Sequence, residues 1–253
     1  MKTELTPKEI AILGNYRFVT SEPGNEVELD FSMLVKKESM SHYLKLFQEE
    51  LRAPDMKTAA SVFMKRHAFL AVLYLYSMSA FNKKLNVDPD NIILADAIKD
   101  GLWLPEFYLK SKQTIPCPDG QREEWRKEAV RHLFEDNLFP VMDTLSRMAR
   151  ISKLILWENV SVYIFWLYEK ILSQLEDEEI KARAEADFFY LLMSAPGKLF
   201  GNNQKNPMAR YYSEPVYHEE SDSYIRMRKT CCFSYRLKEK GGLCKTCPRT
   251  CGA

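Results

Sequence analysis

Thiols are the side chains in this sequence with the clearest chemical capability, and they are placed unevenly. Cys231, Cys232, Cys244, Cys247 and Cys251 all fall within the terminal stretch Thr230 to Ala253, whereas everything before it holds only Cys117. Two chemistries compete to explain such clustering. A disulfide framework spreads its cysteines through a small secreted domain that lacks a sufficient core. This chain has 253 residues, 46% of them hydrophobic. Its opening, Met1-Lys2-Thr3-Glu4-Leu5-Thr6-Pro7, has no apolar run of the signal-peptide kind. The expected compartment is therefore reducing, and metal ligation leads.

Cys244 and Cys247 are spaced C-x-x-C, which lets one tight turn aim two sulfurs at a metal. Gly241 and Gly242 precede that turn as candidates for positive φ, and Pro248 restricts the backbone after it. The vicinal pair Cys231-Cys232 argues against zinc. Structural zinc takes ligands from C-x(2 to 4)-C pairs, and side chains of direct neighbours in extended chain point apart. A two-iron cluster is a larger target that needs two thiolates on each iron. How the vicinal pair divides between the irons is not readable from the spacing.

The order C-C, eleven residues, C-x-x-C resembles the ending of the FhuF-like ferric siderophore reductases, C-C-x10-C-x-x-C around a 2Fe-2S cluster, with a spacer one residue longer. The segment Leu133 to Tyr168 resembles the central helical region of that family and of its relatives with an IucA/IucC-type C-terminal domain, and the likeness runs from about Met40 onward. The resemblance implies a 2Fe-2S cofactor held by Cys231, Cys232, Cys244 and Cys247. Cys251, which the family pattern does not need, extends the motif to C-x-x-C-x-x-x-C and reads first as a spare thiol, with a substitute ligand or a redox-active neighbour as alternatives. It also implies a cytoplasmic reductase that passes one electron to Fe(III) in an imported hydroxamate or citrate-hydroxamate siderophore and releases Fe(II). The electron would come from a separate donor, a ferredoxin or an NAD(P)H-dependent flavoprotein. That agrees with the lack of any G-x-G-x-x-G or G-x-x-x-x-G-K-[ST] cradle. Two other classes compete: a non-enzymatic siderophore- or protein-binding domain closed by structural zinc, and a pure electron-transfer protein.

A formal net charge of +1 excludes no local patch but gives no sign of a nucleic-acid binder. From Tyr224 onward Arg226, Arg228, Lys229, Arg236, Lys238, Lys240, Lys245 and Arg249 face only Glu239. Such cations stabilise the extra negative charge of a reduced cluster and attract anionic partners. Lys205, Arg210, Arg226 and Arg228 are the candidate substrate contacts. The first two lie in the polar stretch Gly201 to Tyr212, which otherwise reads as a surface loop.

These residues need a scaffold, and the pattern predicts an α+β, mainly α chain: a helical body with a small antiparallel sheet and a C-terminal cluster loop. Residues 1–222 are expected to form the siderophore-binding body and 223–253 the cluster segment. Thr6 and Pro7 open a helix that Gly14 stops. Tyr16 to Thr20 and Glu26 to Leu34 read as two strands around a turn. Helices are expected over Met40 to Arg52, Met56 to Phe81, Arg122 to Leu138, Pro140 to Ala149, Ser152 to Leu175, and from Glu176 to near Ser194. The apolar run Ala68 to Phe81 is broken only by Ser77 and Ser79 and falls short of a bilayer span, with His67 expected at its polar edge and without a role. Ile92 to Ala97 and Leu102 to Leu109 read as a hairpin turning at Asp100-Gly101, with Pro105 weakening its second strand. Thr114 to Gln121 reads as a loop.

Overall fold

The computed structural model describes residues 2–22, 28–99, 102–219, 222–237 and 242–249. The Asp100-Gly101 turn, Gly241 and Cys251 lie outside them. After the short strand β1 (Thr3–Glu4) the chain enters α1 (Pro7–Gly14) through a capping box in which Thr6 and Glu9 each satisfy the other's backbone N–H. Strands β2 (Phe18–Val19) and β3 (Glu28–Asp30) follow, then α2 (Phe31–Leu34) and α3 (Lys37–Glu50). The expected two-strand hairpin here does not form, and Phe31 to Leu34 are helical. β2 pairs in parallel with β8 (Glu106–Leu109), β3 pairs with β5 (Ile92–Ala95), and the sheet order is β2-β8-β5-β3. Two-residue strands carry too little pattern to name their partner, so distant burial chose it.

Asp55 caps α4 (Met56–His67) by accepting from the Thr58 N–H at 2.8 Å. The single long helix expected here is broken at Ala68, beyond which α5 (Phe69–Ala80) continues. Neither proline nor glycine marks the break, which is why periodicity missed it. The two polar residues of α5 are buried and satisfied: Ser77 donates to the Lys83 carbonyl at 2.9 Å and Ser79 to Asp187 at 2.8 Å. His67 corrects an expectation. It is fully buried at the end of α4, stacked on Phe31 and Phe63, and neither ring nitrogen meets a hydrogen-bond partner among the described residues. Burial lowers its pKa to about 3.

The expected hairpin forms, with β5 against β8 outside and β6 (Ile98–Lys99) against β7 (Leu102–Trp103) inside, interrupted around Pro105. Part of the expected loop at Thr114 is instead β9 (Gln113–Pro116), held between β1 and β4 (Lys83–Leu85). The second half is helical: α6 (Arg122–Leu133), α7 (Phe139–Ala149), α8 (Lys153–Trp166) and α9 (Glu178–Phe189). Asp177 caps the last of these. π-turns at Phe134–Leu138, Leu167–Ile171 and Tyr190–Ser194 extend or join these helices. A final hairpin, β10 (Val216–His218) with β11 (Ser223–Ile225), leads into the cysteine segment.

The protein is thus mainly α with small sheets, antiparallel except for the β2–β8 pairing. The core lies where α4 packs on α3, α7 and α8 and where α5 packs on α8 and α9. Phe63, Trp157, Phe134 and Phe200 are fully buried there, the last three in mutual contact. The stretch Gly201 to Tyr212, expected as a polar surface loop, is partly anchored. Asn206 donates to the Leu191 carbonyl at 2.5 Å, and Met208 and Tyr211 are buried. Gly201 has φ 87°, and a Cβ there would stand 2.3 Å from the Phe139 ring. No helix among the described residues is long and apolar enough to cross a membrane.

Candidate metal centre

The centre is assembled where the segment after β11 crosses the faces of α4 and α8. Polar side chains do the docking. Glu158 and Asn159 interrupt the apolar face of α8 and are buried, with Glu158 only 2% exposed. The Glu158 carboxylate accepts from the Lys229 N–H at 2.6 Å, from the Thr230 N–H at 2.7 Å and from the Thr230 hydroxyl. Asn159 accepts from Arg228 at 2.5 Å and donates to the Ser61 carbonyl and hydroxyl, each at 3.0 Å. Ser61, on α4, donates in turn to the Cys232 carbonyl at 2.8 Å. Buried donors and acceptors left unpaired are expensive, so this chain of bonds specifies how the cysteine segment sits. Further along, Arg236 reaches Asp55 at 2.7 Å and Thr58 at 3.1 Å.

The four described thiols of the segment are gathered by two turns. Phe233 adopts φ 60°, which folds the chain back so that its own N–H donates to Cys231 Sγ at 3.4 Å. The C-x-x-C turn closes by a Cys247 N–H to Cys244 carbonyl bond of 2.9 Å, and the Thr246 carbonyl accepts from the Arg228 N–H at 2.9 Å. The expected positive φ at Gly242 does not occur. The vicinal pair then splits: Cys232 is in hydrogen-bond contact with Cys244, and Cys231 with Cys247. Cys232 and Cys247 are buried, while Cys231 and Cys244 are partly so. Among the described residues no three His, Cys, Asp or Glu side chains converge on a single point as one metal ion requires. The thiols meet two by two, the donor set of a two-iron cluster.

The electrostatics are lopsided. The Cys232 thiol is lowered, chiefly by its hydrogen bond from Cys244, with Lys65, Ser234 and Arg228 adding to the effect against burial. Lys65 Nζ lies 3.8 Å from Cys232 Sγ. Cys244 is pushed up because it donates to Cys232, and Cys231 is raised mainly by burial. A metal ligand must be deprotonated to bind, and the Lys65 ammonium beside Cys232 Sγ favours that form.

The sequence-derived cations separate in space. Arg228 is buried, with its Nε 3.6 Å from Glu158. Arg226 grips Glu169 with two bonds of 2.8 Å and lies over Tyr212 at 4.3 Å. Both line a cavity of about 210 Å³, together with Val162, Phe165, Trp166, Tyr211, Met227 and Thr246. Lys205 and Arg210 are exposed and do not line it. A larger hollow of about 310 Å³ around Lys84, Asp88 and His132 includes none of the segment from β11 onward. Sequence reasoning missed Ser61, Lys65, Glu158 and Asn159. The available signal was a Glu-Asn pair on the buried face of an otherwise apolar helix.

Four thiols set two by two on a mainly helical body are a donor set compatible with a 2Fe-2S cluster, and the comparisons with known proteins identify that group. Residues 62–218, more than half of the chain, match the family described as ferric iron reductase FhuF-like transporter, and residues 228–249, which include all four thiols, match the FhuF 2Fe-2S C-terminal domain. The chain belongs to the FhuF-like ferric iron reductase family. No curated protein and no solved structure matches it.

Proposed function

We propose that this chain reduces ferric iron carried in an imported siderophore, with Cys231, Cys232, Cys244 and Cys247 as the ligands of its 2Fe-2S cluster. In this reading residues 1–222 hold the chelate and residues 223–253 carry the cluster. The contact pattern of the thiols supports one iron on Cys232 and Cys244 and the other on Cys231 and Cys247. When bound, such a cluster supplies a store for one electron, received from a separate donor such as a ferredoxin or an NAD(P)H-dependent flavoprotein.

The observation that carries the reading is the cavity beside the C-x-x-C turn, because Thr246 and Arg228 belong both to its wall and to the thiol site. Its volume of about 210 Å³ fits one arm of a chelate with the remainder held outside. Phe165, Trp166 and Met227 offer apolar surface to a chelate's aliphatic spacer, while Arg226 and Arg228 line the wall beside Glu169 and Glu158, so a chelate oxygen that meets either arginine shares it with a carboxylate. Lys205 and Arg210, exposed beyond the cavity, are proposed as outer contacts. Hard hydroxamate and carboxylate oxygens hold the smaller, more charged ferric ion far better than the ferrous ion. Fe(III) gains one electron, becomes Fe(II) and is released, with no side-chain acid or base required. Hydroxamate and citrate-hydroxamate siderophores, encountered in the cytoplasm, are the proposed substrates.

The test is reduction under anaerobic conditions. Protein pre-reduced with dithionite and freed of excess reductant is mixed with a ferric hydroxamate, and Fe(II) is trapped by a ferrous chelator. Stoichiometric Fe(II), with reoxidation of the visible spectrum, is the expected result. Val162→Trp, which fills the cavity, should raise KM at least tenfold while leaving iron and sulfide content unchanged. Equal rates with unchelated ferric salt, and an unaltered KM in Val162→Trp, would remove the siderophore from the reading.

A further inference from the structure

The basic residues of the C-terminal segment are the obvious candidates for tuning an anionic cluster, yet the structure assigns most of them elsewhere. Arg226 is neutralised by Glu169, Arg228 stands against Glu158, and Arg236 against Asp55. Lys229, Lys245 and Arg249 are exposed. Lys238 and Lys240 lie outside the described residues. Arg228, which also acts on Cys232, shares its charge with Glu158; the other described cation acting on Cys232 comes from the body. Lys65 lies one turn after Ser61 on α4, so both present the same face to the cysteine segment. Ser61 pins the Cys232 carbonyl, and the part-buried Lys65 places Nζ 3.8 Å from Cys232 Sγ and 3.4 Å from Ser234 Oγ. Among the described residues no carboxylate lies at ion-pair distance from Lys65. At the other end of the site, Cys231 receives the Phe233 N–H, a neutral dipole, at 3.4 Å.

Resting on the reading of the four cysteines as cluster ligands, we propose that Lys65 is a positioning residue that sets the reduction potential of the cluster and biases the incoming electron toward the iron held by Cys232 and Cys244. A fixed positive charge at a ligand sulfur stabilises the form carrying one more negative charge. A full charge on one side against a dipole on the other makes the two irons unequal. The electron balance is simple: the donor is oxidised by one electron, one iron is reduced by one, and no bond or proton moves.

Anaerobic preparations of wild type, Lys65→Met, Lys65→Gln and Lys65→Arg are compared by iron and sulfide analysis, by dye-mediated redox titration and by EPR of the reduced state. Lys65→Met is expected to keep its iron and sulfide but to lose at least tenfold in the equilibrium constant for reduction, about 59 mV for a one-electron couple. Its EPR g-values should shift, while Lys65→Arg stays close to wild type in both. An unchanged potential in cluster-loaded Lys65→Met, or equal shifts in Lys65→Met and Lys65→Arg, would overturn the assignment. So would loss of the cluster from Lys65→Met and Lys65→Gln alike, which would make Lys65 structural. Failure of the underlying ligand reading is distinct: Cys232→Ser or Cys244→Ser would then keep the iron and sulfide of wild type.

Discussion

The helical body and the cysteine segment are held by different physics. The body buries aromatic and aliphatic side chains by the dozen between α3, α4, α5, α7 and α8. From β11 onward, by contrast, only Arg228, Cys232 and Cys247 are buried among the described residues. The segment is fastened by Glu158, Asn159 and Ser61 and by whatever its thiols ligate. Stability spread over many contacts tolerates local damage, whereas attachment through a few buried polar groups does not. The two regions should therefore fail separately.

The most drastic way to break the comparison is Cys244→Ser. Iron and sulfide should fall to near nothing while the far-UV circular dichroism and the urea midpoint of the body stay close to wild type. Collapse of the whole fold would show that the segment is part of the core after all. Phe134→Ala attacks the other side. It removes a ring packed on Trp157 and Phe200 and should cost about 3–5 kcal/mol in urea unfolding, with the cluster spectrum lost only as the body unfolds.

Glu158→Gln separates the regions at their joint. It leaves Arg228 without its carboxylate and takes away the charged acceptor of the Lys229 and Thr230 N–H groups. The cost is about 1–3 kcal/mol, read as loss of the visible spectrum at a lower urea concentration than loss of helix. Coincident transitions would contradict the picture.

His67→Phe gives the smallest change at neutral pH and sharpens the comparison through its sign. Folded His67 stays neutral down to about pH 3, whereas in the unfolded chain it titrates near 6.5. Between those values the unfolded state binds the proton and the folded state does not, so stability falls as pH drops through that window. His67→Phe should remove this loss, stabilise the body most at acid pH, and leave the cluster potential unmoved. An acid-stability curve parallel to wild type would show that His67 is not buried neutral.

Local signals in the sequence carried a good deal. Thr6-Pro7 with Glu9 opened α1, the apolar periodicities located the helical stretches from α3 to α9 but merged α4 with α5 and ran α8 on through the π- and 3-10 turns after Trp166, and the Cys-Cys and C-x-x-C pairs marked the site. Each is written within a turn or two of chain, where capping, periodicity and ligand spacing act. The pairing of β2 with β8 and of β1 with β9 was hidden, because two-residue strands hold no register of their own. Hidden too was the apolar setting of His67, whose position at the end of α4 looked polar until Phe31 and Phe107 arrived from distant chain.

By itself, then, the sequence determined most of the helices, the cluster of thiols at the C-terminus and the family. Only the tertiary structure decided that Cys232 faces Cys244 and Lys65, that Cys231 faces Cys247, and that Glu158 and Asn159 receive the segment. The reason is physical: a contact between residues 65 and 232 or between 159 and 228 depends on how α4 and α8 pack, and packing is a property of the whole core.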